Sequence, residues 1–330
     1  MSIHSVKRSQ CHLAWDNSIP PVLTVESGSL VSVSCLDASN GQINSTSAVS
    51  AISSLVFSQL DQVNGPIYIT SALPGDTLQI DVISIEPADW GWTGLIPGFG
   101  LLADDEEFKD PHLRIWKLDK ERGVAVFDET KGIKVPLRPF AGEMGVAPGE
   151  KGAFSTIPPY KTGGNLDTKY LEAGATLFLP IEVEGALFSI GDGHAAQGDG
   201  EVCGTAIETP MEVTIRLTVR KDRPYTTTPH FYTSPKVKRI SPTSDSNSGT
   251  DQLQAEEQYY GTTGVGPDPR EAAREATRNM ITYLNVQHGI DRVDAYMLCS
   301  VAGDLRMHEV VDMPNYVVGM MLPKSVFPSI

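Results

Sequence analysis

The stretch "GDGHAAQGDGEVCG", Gly191 to Gly204, places Asp192, His194, Asp199, Glu201 and Cys203 among glycines. Residues two apart on a strand share a face, so a strand here puts Asp192 and His194 side by side. A turn through Ala195, Ala196, Gln197 and Gly198 would then bring Asp199, Glu201 and Cys203 onto a second edge of a hairpin. Imidazole with carboxylates suits zinc or another divalent cation. "GDGE" also offers oxygens to calcium, although a central histidine is a poor calcium ligand. Glu201 can serve as an acid or base, and Cys203 as a nucleophile. The pattern alone leaves three readings open: a solvated turn, a metal loop and a catalytic centre. Gly-Asp clusters are common in turns, and a free cysteine is commonly a small core hydrophobe.

Such residues need a frame, and the first two-thirds of the chain predicts strands. "SGSLVSVSC", "PGDTLQIDVISI" and "AGATLFLPIEV" each pair a turn glycine with an apolar run near period two. "EVTIRLTVR" alternates Val213, Ile215, Leu217 and Val219 on one face. The irregular spacing excludes a solenoid and suits a sandwich or jelly roll. Two stretches, "ADWGWTGLIPGFGLLADDEEFKDP" and "PLRPFAGEMGVAPGEKGAFSTIPPYKTGGNLDT", are rich in Gly and Pro and are expected to be long functional loops. "SPTSDSNSGTD" has no periodicity and is expected to be a mobile linker around 241-251. Beyond it, Asp268, Pro269 and Glu271 predict a helix start. Ala273, Ala276, Met280, Ile281 and Leu284 predict its apolar face, and Gly289 its stop. "DAYMLCSVAGDLRMHEVVD" is expected to form strands. The fold class is therefore mainly β: a β-sandwich or jelly-roll-like core over residues 1-225, with a smaller α+β part over 226-330.

The composition narrows the partners. Against 41 acidic residues stand 26 basic ones, a net charge of -15, which argues against nucleic acid and anionic membrane. No apolar run reaches the roughly 18 to 20 residues that a membrane span requires. Cys11, Cys35, Cys203 and Cys299 are scattered without a CxxC pair, and the N-terminus has no apolar signal core, so a cytoplasmic location is expected.

"LFSIGDGHAAQGDGEVCGTAIE" resembles the signature of the acetamidase/formamidase family. "CHLAWDNSIPPVLTVESG", "DASNGQI", "GPIYITSALPGDTLQIDV", "GWTGLIPGFGLLADD", "VPLRPFAGEMGVAP" and "GGNLDTKYL" resemble further family blocks, in the family's order. The resemblance implies a metal-associated, oligomeric hydrolase that splits short aliphatic amides into ammonia and a carboxylic acid. It also implies a β-sandwich carrying a smaller α+β part. His308 stands where glutamine is commoner in the family and is not counted in the site.

Amide hydrolysis needs a strong nucleophile, stabilisation of the oxyanion and a proton for the leaving nitrogen. On this reading Asp192, His194 and Asp37 hold the metal, with zinc ahead of calcium, and Glu201 is the acid/base. In the rival route Cys203 attacks the amide, although acidic neighbours work against a thiolate. Trp92, beside Trp90 and Phe99, and Asn165 are the expected substrate contacts. Glu143 is expected to meet the substrate amide from a Gly/Pro loop, and Asp167 to help hold that loop. The substrate expected is a small amide, formamide ahead of acetamide. A non-catalytic β-sandwich that binds metal or carbohydrate is the alternative class, but it has no need of Glu201 and Cys203 two residues apart beside a histidine.

Overall fold

The computed structural model describes residues 3–235 and 257–327. Two large sheets dominate it. In the first, nine strands run in the spatial order Ile3–Val6, Ser29–Cys35, Met211–Arg220, Thr77–Pro87, Thr176–Pro180, His230–Tyr232, Tyr259–Gly266, Tyr316–Pro323 and Asp304–Glu309. The second centres on Phe188–Ala196, which pairs with Phe140–Val146, Ile207–Glu208 and Val63–Ile69. From Ile207–Glu208 this sheet continues through Trp90–Leu95 and His112–Asp119.

The core lies between the sheets, as alternation requires. Val31, Val33, Leu78, Ile80, Val213 and Ile215 face inward from the first sheet. Phe140, Met144, Phe188, Ile190 and Ile67 meet them from the second. Each predicted period-two run is a strand of the first sheet, because alternating apolar residues can be buried only if the chain is extended. The chain is mainly β, with a sandwiched core and its long helices near the C-terminus.

Three local expectations are corrected. Phe140–Val146, expected inside a loop, is a fully buried central strand. Its glycines are sites of close approach: a side chain at Gly145 would come within 2.7 Å of the Gly164 nitrogen and 2.8 Å of Trp15. Trp90–Leu95 is likewise a strand within a stretch expected to be irregular. "DAYMLCSVA", expected as strand, belongs to the helix Arg292–Ala302, where Asp291 caps Val293 N at 2.9 Å and Ala295 and Cys299 pack inward.

The helix Pro269–His288 begins and ends as predicted. Asp268 Oδ1 accepts from the nitrogens of Arg270 and Glu271, and Gly289 adopts φ 65°. Its buried face carries Ala272 and Tyr283 beside Ala276, Met280 and Leu284, while Ala273 and Ile281 are only half-buried. The C-terminal strands extend the first sheet, since His230–Tyr232 pairs with Thr176–Pro180. The expected boundary at 225/226 therefore falls within one continuous sheet. The expected linker at 241-251 lies outside the described residues. Among those residues, no helix is long and apolar enough to cross a membrane.

Candidate active site

His194 is the hub of the site. It is buried on Phe188–Ala196, with its ring edge-on to Phe140 at 5.1 Å. Its Nε2 lies 2.8 Å from Asp192 Oδ2, 3.2 Å from Glu208 Oε1 and 4.0 Å from Glu201 Oε1. Its Nδ1 lies 2.9 Å from Gln197 Oε1 and 3.6 Å from Asp167 Oδ1. Among the described residues, two sets of side chains could each hold a metal ion: Asp192, His194 and Glu208, and Asp167, His194 and Glu201.

The backbone is bent to make this possible. Asp61, Asp167, Asp192 and Glu201 all have positive φ, at 53°, 42°, 53° and 45°. Outside glycine such conformations cost on the order of 1–3 kcal/mol each and cluster at functional sites. Glycines make the remaining room. A side chain at Gly142 would collide with Asp192 Oδ2 and lie 2.5 Å from Asp167 Oδ1. One at Gly193 would strike the carbonyl of Thr209.

The electrostatics are dominated by buried acids. Burial pushes the Asp167 carboxyl up to about 6 and that of Glu208 up to about 8, against the opposing pull of His194. Burial, and then neighbouring carboxylates, hold Glu201, Asp61 and Asp312 well above the ordinary range. Burial pushes His194 down, but Asp192 and Glu208 override it and hold the imidazole well above its ordinary value. Both Asp167 side-chain oxygens, Asp192 Oδ1 and Glu208 Oε2 are buried without a hydrogen-bond partner. Buried carboxylates in that condition are costly unless a cation or a proton meets them.

A cavity of about 30 Å³ opens onto this cluster. Its polar wall holds Asp61, Asn165, Asp167, Asp192, His194, Glu201, Glu208 and Asp312, and its apolar wall Leu60, Trp92, Ile96, Phe99 and Ile157. Asn165 Nδ2 donates to Asp312 Oδ2 at 2.9 Å and to Ile157 O at 3.1 Å, while its Oδ1 is unpaired. Behind the 198–205 loop lies a wider space of about 560 Å³, which Glu201 also borders.

Asp192, His194, Glu201, Trp92 and Asn165 thus share one cavity. Three expected residues stand apart from it. Asp37 lies beneath Trp92: its Oδ1 accepts from the indole Nε1 at 3.0 Å, Ser39 N at 3.0 Å and Ser39 Oγ at 2.5 Å. It belongs to neither ligand group. Glu143 is fully buried opposite Gly191 and Asn165, both its oxygens are unpaired, and it does not line the cavity. Cys203 borders the wider space, with its thiol donating to Thr205 O at 3.2 Å. The expected second hairpin edge is also corrected. Phe188–Ala196 pairs with Ile207–Glu208, and Asp199 turns away to Lys169 and Tyr170.

Sequence reasoning missed Glu208, Asp61 and Asp312 and gave Asp167 only a loop-holding role. The signal for Glu208 is weak: an acid directly after the buried Ile207 and two residues before Pro210. His308, left out of the site, is buried, and Thr168 Oγ1 lies 2.9 Å from its Nδ1.

This arrangement has counterparts among known proteins. The model of the acetamidase/formamidase family matches residues 3–151 and 149–329. A formamidase of Methylophilus methylotrophus is 26% identical, over 96% of this chain and 89% of its own. An acetamidase of Mycolicibacterium smegmatis is 28% identical, over 60% of this chain and 63% of its own. The crystal structure of an acetamidase from Bacillus halodurans superposes with a TM-score of 0.83 at 27% identity, covering 98% of each chain. With a family match running nearly end to end and a fold shared at full length, this chain belongs to the acetamidase/formamidase family.

Proposed function

We propose that the protein hydrolyses short linear amides, formamide foremost, to ammonia and the carboxylate, at a divalent cation held by Asp192, His194 and Glu208. One observation carries the reading: carboxylates converge on a single imidazole nitrogen, with Asp192 Oδ1 and Glu208 Oε2 buried and unpartnered. A cation relieves that charge. One imidazole nitrogen with carboxylate oxygens suits zinc, and the nitrogen counts against calcium. When bound, the ion supplies Lewis acidity, polarising the amide carbonyl and making a nearby water more acidic.

The remaining demands fall on side chains. Burial keeps the Glu201 carboxyl protonated well above the ordinary range, so it can give a proton to the leaving nitrogen and recover one from water. The unpaired Asn165 Oδ1 is an acceptor for an amide N–H. Trp92, its indole N–H tied to Asp37, offers only its apolar face to the substrate. The names of the relatives, formamidase and acetamidase, support a short amide. The cavity supports the smaller one: about 30 Å³ leaves room for roughly two waters. An added methyl is worth about 1–3 kcal/mol of discrimination in such a pocket.

Ammonia release from formamide and acetamide, by zinc-loaded and chelator-stripped protein, tests the proposal. Turnover of formamide that is lost on stripping and restored by Zn2+ is expected. Glu201→Gln should lower kcat by about 10²–10⁴. Silence towards both amides with Zn2+ present would refute the amidase reading, and full turnover by stripped protein would refute the metal.

A further inference from the structure

We infer that Gln197 is a positioning residue: it dictates which nitrogen of His194 faces the cation, and so that the ring meets the cation on the side of Asp192 and Glu208, away from Asp167. The inference rests on the cation reading above. Gln197 Nε2 lies 2.7 Å from the main-chain oxygen of Asp167. A carbonyl oxygen only accepts, so that end of the amide must be the NH2 group. Gln197 Oε1 is then the atom 2.9 Å from His194 Nδ1, and it too only accepts. Nδ1 therefore carries the hydrogen, and Asp167 Oδ1, 3.6 Å away, favours the same tautomer.

With Nδ1 committed as a donor, Nε2 is the nitrogen left for a cation. It faces Asp192 Oδ2 and Glu208 Oε1 at 2.8 and 3.2 Å. Gln197 thus turns the ring so that Nε2 serves Asp192 and Glu208, with Glu201 Oε1 at 4.0 Å on the same side, and leaves Asp167 on the Nδ1 side. The anchor is firm because it is backbone: Asp167 N donates to Gly142 O at 3.2 Å, on the central strand Phe140–Val146. Outer partners of metal-binding histidines commonly set the tautomer in this way, and their loss costs about 10–100-fold in affinity.

The test compares wild type, Gln197→Met and Gln197→Glu for Zn2+ affinity, by competition with a chromophoric chelator. Co2+ absorption and far-UV circular dichroism are recorded alongside. Gln197→Met should bind Zn2+ about 10–100-fold more weakly. Gln197→Glu, which can still accept from Nδ1 but no longer donates to Asp167 O, should recover part of that loss. Nitrogen-15 histidine spectra of zinc-loaded wild type should show His194 protonated at Nδ1, a readout that needs no variant to fold. Unchanged affinity in Gln197→Met, or a proton on Nε2 in the zinc form, would overturn the inference. A wild type that binds neither Zn2+ nor Co2+ would instead sink the cation reading, and this inference with it.

Discussion

Glu208 sits directly across the strand pair from His194, and its Oε1 lies 3.2 Å from the imidazole Nε2. A carboxylate on a two-residue strand is thereby made part of the site, held by a 2.8 Å hydrogen bond from Ala206 N to Glu208 Oε1. Glu208→Gln should weaken Zn2+ binding by more than the roughly 10–100-fold that loss of an outer partner costs. Zn2+ should raise the thermal midpoint of stripped wild type, because it binds the folded state, and raise that of Glu208→Gln much less. Calorimetry with and without Zn2+ checks both, and an equal rise in the two proteins would remove Glu208 from the ligand set.

Cys203 offers the competing chemistry. Its thiol borders the wider space behind the 198–205 loop and bonds to Thr205 O. Cys203→Ala is expected to keep near-normal turnover and to change stability by about 0.5 kcal/mol or less. Trapping of an acyl-cysteine during turnover, or loss of activity in this variant, would instead favour the thioester route.

Gly142 bears on catalysis without a side chain of its own. A methyl there would push on both the Asp192 and Asp167 carboxylates. Gly142→Ala should cost about 1–3 kcal/mol in stability, the usual range for overpacking. It should also lower kcat and Zn2+ affinity while leaving a folded protein. Denaturant melts paired with amide assays decide this, and wild-type kinetics in a stably folded Gly142→Ala would show that the carboxylates can be displaced harmlessly.

His308 is a pH-sensitive element of stability. Burial pushes its imidazole down to about 4, beneath the ordinary value near 6.5. The unfolded chain therefore takes up this proton first as pH falls, and stability drains away from about pH 6.5 down to about 4. His308→Gln removes that dependence. Between pH 7.5 and 5 the wild type should lose about 2 kcal/mol more than the variant. Urea midpoints at the two pH values measure it, and parallel losses would exclude the histidine as the cause.

Much was legible along the chain because it is local. The helix Pro269–His288 follows from Asp268, Pro269 and Gly289, each of which acts through its own backbone. The strands of the first sheet follow from period two. Asp192 and His194 lie on one strand and meet, as their spacing predicts, although Asp192 at φ 53° bends that strand. Phe140–Val146 escaped notice because Gly142 and Gly145 look like loop residues. Their purpose, close approach to Asp192, Asp167 and Trp15, exists only once distant segments are packed.

The amino-acid sequence by itself determined the β-rich class, the C-terminal helix start and the pair Asp192–His194, since propensity, capping and alternation act over a few residues. Only the tertiary structure decided that Glu208 faces that pair, and that Asp61, Asp167 and Asp312 close around it. It also decided that Asp37, Glu143 and Cys203 stand outside the cavity. Strand register and loop path set those relations, and both depend on how two sheets bury their apolar faces against each other.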